Sequence, residues 1–122
     1  MKRKRFWLIA LGMAFWANAA TAKIDIYYFK DDHPCLNCRK MEKYAKALVN
    51  ELADTDYVTI DLKAPETKAD IEKYGLYTKT FVLIRDDGKW RKLDRALIWA
   101  DDEQRFKAYF HREIGALEAE KR

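Results

Sequence analysis

The sequence predicts an α/β fold in which helices cover a four-stranded mixed sheet. Three patterns support this prediction: a strand–helix–strand order, then a hairpin signal, then an amphipathic helix. A strand–helix–strand unit of this length makes a right-handed parallel crossover, whereas a two-residue hairpin joins antiparallel strands. The sheet should therefore contain both kinds of strand pair, with helices on its faces.

The first half of the domain supplies the parallel pair. Residues 24–29 are apolar on both faces apart from Asp25, as expected for a buried parallel strand. After a polar break, residues 57–62 form the second predicted strand. A helix is predicted over 39–52 between them, because apolar residues recur there at helical spacing: Met41, Tyr44, Ala45, Leu48 and Leu52.

The second half supplies the antiparallel pair. A short helix is predicted over 67–74, and Gly75 ends it. Residues 80–85 repeat the buried-strand pattern, the Asp-Gly pair at 87–88 predicts a tight hairpin, and residues 90–93 form the return strand.

A last helix is predicted after a loop or short turn over 94–100. Asp101 and Asp102 can cap its start, because carboxylates accept hydrogen bonds from the first helical N–H groups. Its apolar face should pack on the sheet and consists of Phe106, Tyr109, Phe110, Ile114 and Leu117.

Both cysteines lie in one motif, Cys35-x-x-Cys38, between the first strand and the first helix. The first helical N–H groups lack intrahelical partners, and the positive end of the helix dipole lies there, so a thiolate on Cys35 is stabilised. Three interpretations fit the motif: a redox dithiol, a metal site and an inert structural disulfide. Its placement between a strand and a helix favours the redox site.

Residues 1–22 are predicted to be a cleaved export signal, which leaves one domain over 23–122. The segment has a basic start at 2–5, then an apolar run over 6–16 that is shorter than a membrane span, then a small-residue cleavage site ending at Ala22. It would therefore meet the membrane only transiently. Export to the periplasm, or another exported location, would allow a disulfide to persist.

The charge of the predicted domain argues against nucleic acid as a partner. The chain has 24 basic and 20 acidic residues, and the predicted signal holds four of the basic residues and no acidic one. The domain is therefore formally neutral, whereas binding to phosphates favours a basic face.

The element order, with the cysteine motif opening the first helix, resembles the thioredoxin fold. Four segments resemble the small ArsF-type family, which is labelled a nitrophenyl compound nitroreductase subunit: Tyr-Tyr-Phe at 27–29, Cys-x-x-Cys-Arg-Lys at 35–40, Tyr-Gly-Leu-Tyr-Thr-Lys-Thr at 74–80 and Leu-Asp-Arg at 93–95. The resemblance implies a thioredoxin fold and a Cys-x-x-Cys site. No flavin site is evident in the sequence, so the chain would at most pass electrons to or from such an enzyme.

Three departures from thioredoxins concern the site. Leu36 and Asn37 replace the usual Gly-Pro between the cysteines, so the redox potential does not transfer. The strand before the motif has no buried Asp at 27–29, so proton transfer at Cys38 needs another group or water. Thr-Lys-Thr at 78–80 stands where thioredoxins place a cis-proline, and a trans peptide is expected there.

Three further residues are candidates for tuning the site. His33 either lowers the pKa of the Cys35 thiol as an imidazolium, binds a metal, or is an ordinary solvated loop residue. Lys79, beside Thr78 in the stretch that replaces the cis-proline, either stabilises the thiolate or is simply exposed.

These observations together predict an exported thiol–disulfide oxidoreductase or electron carrier. Cys35 would be the exposed nucleophile and Cys38 would resolve the mixed disulfide. No cofactor is required, because the dithiol itself carries two electrons. The expected partner is a protein dithiol or disulfide, or a reductase.

Three alternatives stay open at the level of sequence. In a metal- or metalloid-binding module, Cys35, Cys38 and His33 would need ligands from a second copy or a partner to close a tetrahedral site. The chain would otherwise be a non-catalytic partner subunit of a reductase, or an inert interaction domain with a structural disulfide. The sequence does not fix the oligomeric state.

We predict that the exported protein begins at or a few residues before Lys23, because the small-residue site ends at Ala22. Intact-mass spectrometry of periplasmic material measures the mass of the exported protein and so identifies its first residue. Full-length protein confined to the membrane fraction would instead identify residues 1–22 as an anchor.

Overall fold

The computed structural model describes residues 23–33 and 35–121, so the predicted export signal at 1–22 lies outside the described part. Four strands, three α-helices and two short 3₁₀ helices follow one another in these ranges. The strands are β1 (Ile24–Lys30), β2 (Tyr57–Asp61), β3 (Thr80–Arg85) and β4 (Trp90–Leu93). The helices are α1 (Leu36–Glu51), α2 (Lys68–Tyr74) and α3 (Glu103–Ala119), with 3₁₀ turns at Pro65–Thr67 and Ala96–Trp99.

The four strands form one mixed sheet in the order β2-β1-β3-β4. β1 pairs in parallel with β2, where Ile26 is opposite Tyr57, and antiparallel with β3, where Ile26 is opposite Leu83. β3 and β4 form the antiparallel hairpin. The predicted α/β fold with a mixed four-stranded sheet is confirmed, and it is compatible with a thioredoxin-like fold.

The central strand β1 has a hydrophobic core on each side, which explains its almost continuous apolar sequence. On one side its residues pack with α1 and α3, in a cluster that includes Tyr28, Cys38, Met41 and Phe106. On the other side Phe29 packs with Val82 and with Tyr74 of α2. The cysteine motif therefore lies over the larger core.

The helix ends follow their capping residues. Gly75 ends α2 with φ of 65°, and the Asp102 carboxylate accepts the Arg105 N–H at 3.1 Å to cap α3, both as predicted. The predicted start of α1 at residue 39 was three residues too late. The helix begins at Leu36 because the Cys35 side chain caps it.

An arginine inside the structure fastens the end of α3 to the sheet. Arg85, at the end of β3, is only 1% exposed. Its guanidinium donates to both carboxylate oxygens of Asp87, at 2.8 and 2.7 Å, and to the carbonyls of Leu117 and Glu120, at 2.7 and 2.8 Å. It thus adds a second donor to the Leu117 carbonyl, which also accepts the Glu120 N–H at 3.2 Å, and it bonds the carbonyl of the residue that caps the helix.

We predict that Arg85→Met lowers the urea midpoint of unfolding at least twice as much as Arg91→Met. Arg91 is the matched control, because its guanidinium also makes two hydrogen bonds to carboxylate oxygens, of Glu113 and Glu120, but its side chain is 36% exposed. Truncating the arginine removes enclosed hydrogen bonds to the Asp87 carboxylate and to the Leu117 and Glu120 carbonyls, which costs more than losing a surface pair. Equal urea midpoints for the two variants would show that the buried contacts of Arg85 add no stability beyond that of a surface pair.

Candidate functional site

A disulfide joins Cys35 and Cys38 at the start of α1, with their Cα atoms 5.1 Å apart. The two cysteines predicted as the site are therefore bonded to each other. This arrangement is compatible with a redox Cys-x-x-Cys motif.

The sulfur of Cys35 also caps the helix. The residue has an extended backbone, with φ of −158° and ψ of 112°, and its Sγ accepts the Cys38 N–H at 3.1 Å. Its carbonyl accepts the Arg39 N–H at 3.1 Å and so begins the helical ladder. Ser, Thr or Asp usually fill this position. Because the helix terminus favours negative charge, a thiolate on Cys35 is stabilised where it lies.

The two sulfurs differ in their access to solvent. Cys35 is half-buried and is followed by the exposed Leu36. Cys38 is only 8% exposed and belongs to the buried cluster with Met41 and Ala45. An incoming molecule therefore reaches Cys35 more easily than Cys38.

A lysine connects the two loops that flank the disulfide. The Lys79 ammonium donates to the His33 carbonyl at 2.8 Å and lies 3.4 Å from the Asp31 carboxylate, and its side chain is only 14% exposed. The same carboxylate accepts the His33 N–H at 3.0 Å. We call these contacts the Asp31–Lys79 bridge. The pKa of Asp31 is lowered, first by the His33 N–H and further by the His33 and Lys79 side chains.

His33 itself points away from the protein, with 72% of its side chain exposed and Nδ1 3.3 Å from Asp31. In residues 23–33 and 35–121, the one group of three His, Cys, Asp or Glu residues close enough to share an ion is Asp31, Asp32 and His33. His33 is thus grouped with carboxylates and not with the cysteine sulfurs. Asp32 already pairs with Lys63 at 2.9 Å, so this cluster carries no metal assignment.

The third tuning candidate, Thr78, is exposed, and its carbonyl accepts the Thr80 hydroxyl at 2.7 Å. No cis peptide bond occurs within the described ranges, so the peptide between Lys79 and Thr80 is trans, as predicted. Thr78 and Lys79 both lie beside the disulfide, at the edge of a cavity.

Two cavities flank the disulfide, and Tyr28, Cys35, Cys38 and Lys79 line both of them. The charged cavity has a volume of about 200 Å³ and is otherwise lined by Lys30, Asp31, Asp32, His33, Arg39 and Glu42. The apolar cavity has a volume of about 310 Å³ and is otherwise lined by Met41, Thr78, Thr80, Phe81, Leu93, Asp94, Ala96 and Leu97. The disulfide is therefore approached from two chemically different sides.

Most of the residues that line these cavities were not predicted as site residues, among them Glu42, Tyr28 and Leu97. Glu42 accepts from the Lys30 ammonium at 3.1 and 3.3 Å, and its place four residues after Cys38 puts it on the same helix face. Tyr28 alternates with Ile24 and Ile26 along β1, a period that indicates a shared face. Leu97 gave no signal, because the 3₁₀ turn that presents it was predicted only as a loop or short turn.

Comparisons with known proteins found no relative from which to transfer a function. No family model, curated protein or solved structure matches this chain. The resemblance to the ArsF-type family therefore stays a hypothesis based on the motifs. In the described part of the chain, no helix is both long enough and apolar enough to cross a membrane. The geometry of the disulfide site is the basis for a functional proposal.

We predict that, in the reduced protein near neutral pH, iodoacetamide modifies Cys35 at least tenfold faster than Cys38. Cys35 is more exposed and lies at the helix terminus, where the thiolate is favoured. Quenched alkylation followed by peptide mass spectrometry measures both rates. The same protein in concentrated denaturant is the control, where the rates should converge; equal rates in the folded protein would contradict the assignment.

Proposed function

We propose that this chain is an exported thiol–disulfide oxidoreductase or electron carrier that exchanges two electrons with a partner protein. The observation that carries the proposal is the unequal pair of sulfurs at one helix start. One sulfur is accessible and receives a helical N–H, and the other is buried beneath it. An inert structural disulfide does not require this asymmetry, whereas a nucleophile with a resolving thiol does.

The proposed exchange is balanced as follows. A thiolate of the reduced partner attacks Cys35 Sγ, a mixed disulfide forms, and the Cys35–Cys38 bond breaks with its electron pair leaving on Cys38. A second thiolate of the partner then attacks the partner's sulfur, and Cys35 leaves as a thiolate. The partner is oxidised to a disulfide, this chain gains two electrons, and the same steps run in reverse when this chain is the reductant.

The surface around the disulfide suits an apolar segment of a partner protein. The exposed Leu97 lines the apolar cavity, and the exposed Leu36 follows Cys35 in the chain. Two further exposed apolar residues, Tyr77 and Ile98, are chain neighbours of the cavity residues Thr78 and Leu97. Residues of this kind favour association when a partner buries them. We therefore propose that the partner's cysteine is preceded or followed by apolar residues that enter the apolar cavity.

The location and the class of partner are also part of the proposal. A basic start, an apolar run and a small-residue site favour export to the periplasm, where a disulfide persists. The resemblance of four segments to a family of reductase subunits favours a reductase as partner. The dithiol carries both electrons, so the proposed exchange needs no cofactor.

We predict that Cys38→Ser, expressed with its export signal, accumulates mixed disulfides with partner proteins, and that Cys35→Ser accumulates at least tenfold fewer. Without Cys38 the mixed disulfide on Cys35 cannot be resolved. Non-reducing electrophoresis after acid quenching detects the adducts. Adding Leu97→Asp to the Cys38→Ser protein should reduce them, because a carboxylate then faces the apolar cavity.

The matched control for this change is Gln104→Asp in the same background, which adds a carboxylate at an exposed position that lines neither cavity. Adducts that are equally abundant on both single cysteine variants would exclude the assigned roles. An intramolecular disulfide that resists millimolar dithiothreitol in the folded wild-type protein would refute the redox function itself.

A further inference from the structure

We propose that the buried hydroxyl of Tyr28 donates a hydrogen bond to the Cys38 sulfur when the disulfide opens, and thereby favours the reduced dithiol. This inference rests on the proposed redox function and identifies the internal group that serves the resolving cysteine.

The first observation is that the Tyr28 hydroxyl is buried without a hydrogen-bond partner among the described residues. Tyr28 as a whole is 1% exposed. A buried hydroxyl left unpaired is costly, and such groups in native structures usually have a functional explanation. The hydroxyl is unpaired in the oxidised protein, the state in which the disulfide is closed.

The second observation is where the hydroxyl lies. Tyr28 and Cys38 belong to the same buried cluster, and both line each of the two cavities beside the disulfide. The ring is held by stacking on Phe81, with the ring centroids 4.2 Å apart. After burial itself, the charge of Glu42 is the largest cause that raises the pKa of Tyr28. Glu42 lies one turn beyond Cys38 on α1 and lines the charged cavity together with Tyr28 and Cys38.

The third step is chemical. When the partner's thiolate attacks Cys35, the electron pair of the broken bond leaves on Cys38, in a buried site that disfavours charge. A phenol whose pKa is raised keeps its proton and remains a donor. A hydrogen bond to a charged sulfur is stronger than one between neutral groups. The phenol would then have a hydrogen-bond partner in the reduced state and would stabilise the thiolate that leaves on Cys38. In thioredoxins a buried Asp in the strand before the motif serves the resolving cysteine, and residues 27–29 contain no Asp.

The test is the reduction potential of Tyr28→Phe, which removes only the hydroxyl, in otherwise intact protein from which the export signal has been removed. Each protein is equilibrated with dithiothreitol or glutathione buffers, quenched by alkylation and analysed by mass. We expect the equilibrium constant for reduction to fall about tenfold, a potential about 30 mV more negative. Tyr109→Phe is the matched control: it removes the hydroxyl of another buried core tyrosine, on α3, that lines neither cavity. Its potential should equal that of wild type.

A second measurement separates this role from an ordinary structural one. Thermal unfolding of Tyr28→Phe should show a lower Tm in the reduced protein and an equal or higher Tm in the oxidised protein, since an unpaired hydroxyl is lost there. A potential equal to that of wild type, or an equal loss of Tm in both redox states, would overturn the inference. If the wild-type cysteines fail to exchange with the buffers at all, the proposed redox function fails with it. If they exchange and Tyr28→Phe matches wild type, only the role of Tyr28 fails.

Discussion

The contact between the Cys35 sulfur and the Cys38 N–H is the interaction on which both the fold and the site depend. At 3.1 Å it fixes the first residue of α1 and places the sulfur at the positive end of the helix. A helix cap and a nucleophile are usually separate residues. Here one atom has both tasks, so any change in the charge of Cys35 also changes the stability of the helix start. A thiolate accepts this hydrogen bond better than a disulfide sulfur does, so reduction strengthens the cap.

The loops around that sulfur are held by charge where thioredoxins use a proline. The Lys79 ammonium joins the loop before α1 to the loop before β3, through the His33 carbonyl and the Asp31 carboxylate. A bridge of this kind leaves the backbone trans and fills space with a flexible side chain instead of a rigid ring. If the ammonium stabilises a thiolate on Cys35, it does so through space, because its hydrogen bond and its ion pair are both made with the loop, and the effect weakens as salt increases. Lys79 also lines both the charged cavity and the apolar cavity.

The sequence was sufficient for the elements and for the disulfide pair, because both follow from local patterns. Helical spacing located α1 and α3, and the Asp-Gly pair located the hairpin between β3 and β4. The start of α1 was missed because capping by Cys35, and not apolar periodicity, determines it. Arg85 and Tyr28 were missed for a different reason. The carbonyls that Arg85 binds at the end of α3 belong to Leu117 and Glu120, which are distant in sequence and meet it only in the folded protein. The Tyr28 hydroxyl has no partner among the described residues, so no pairing pattern in the sequence indicates its role.

The two sides of the disulfide together specify how a partner approaches. A polypeptide that brings a cysteine to Cys35 meets apolar side chains on one side and a set of paired charges on the other. Several of these charges pair within the protein, as with Lys30 and Glu42 or Lys63 and Asp32, so this side attracts a charged partner only weakly. Affinity would then come mainly from the apolar side. Since Tyr28 lies beneath both sides, the group that senses the opening of the disulfide is sheltered from whichever partner is bound.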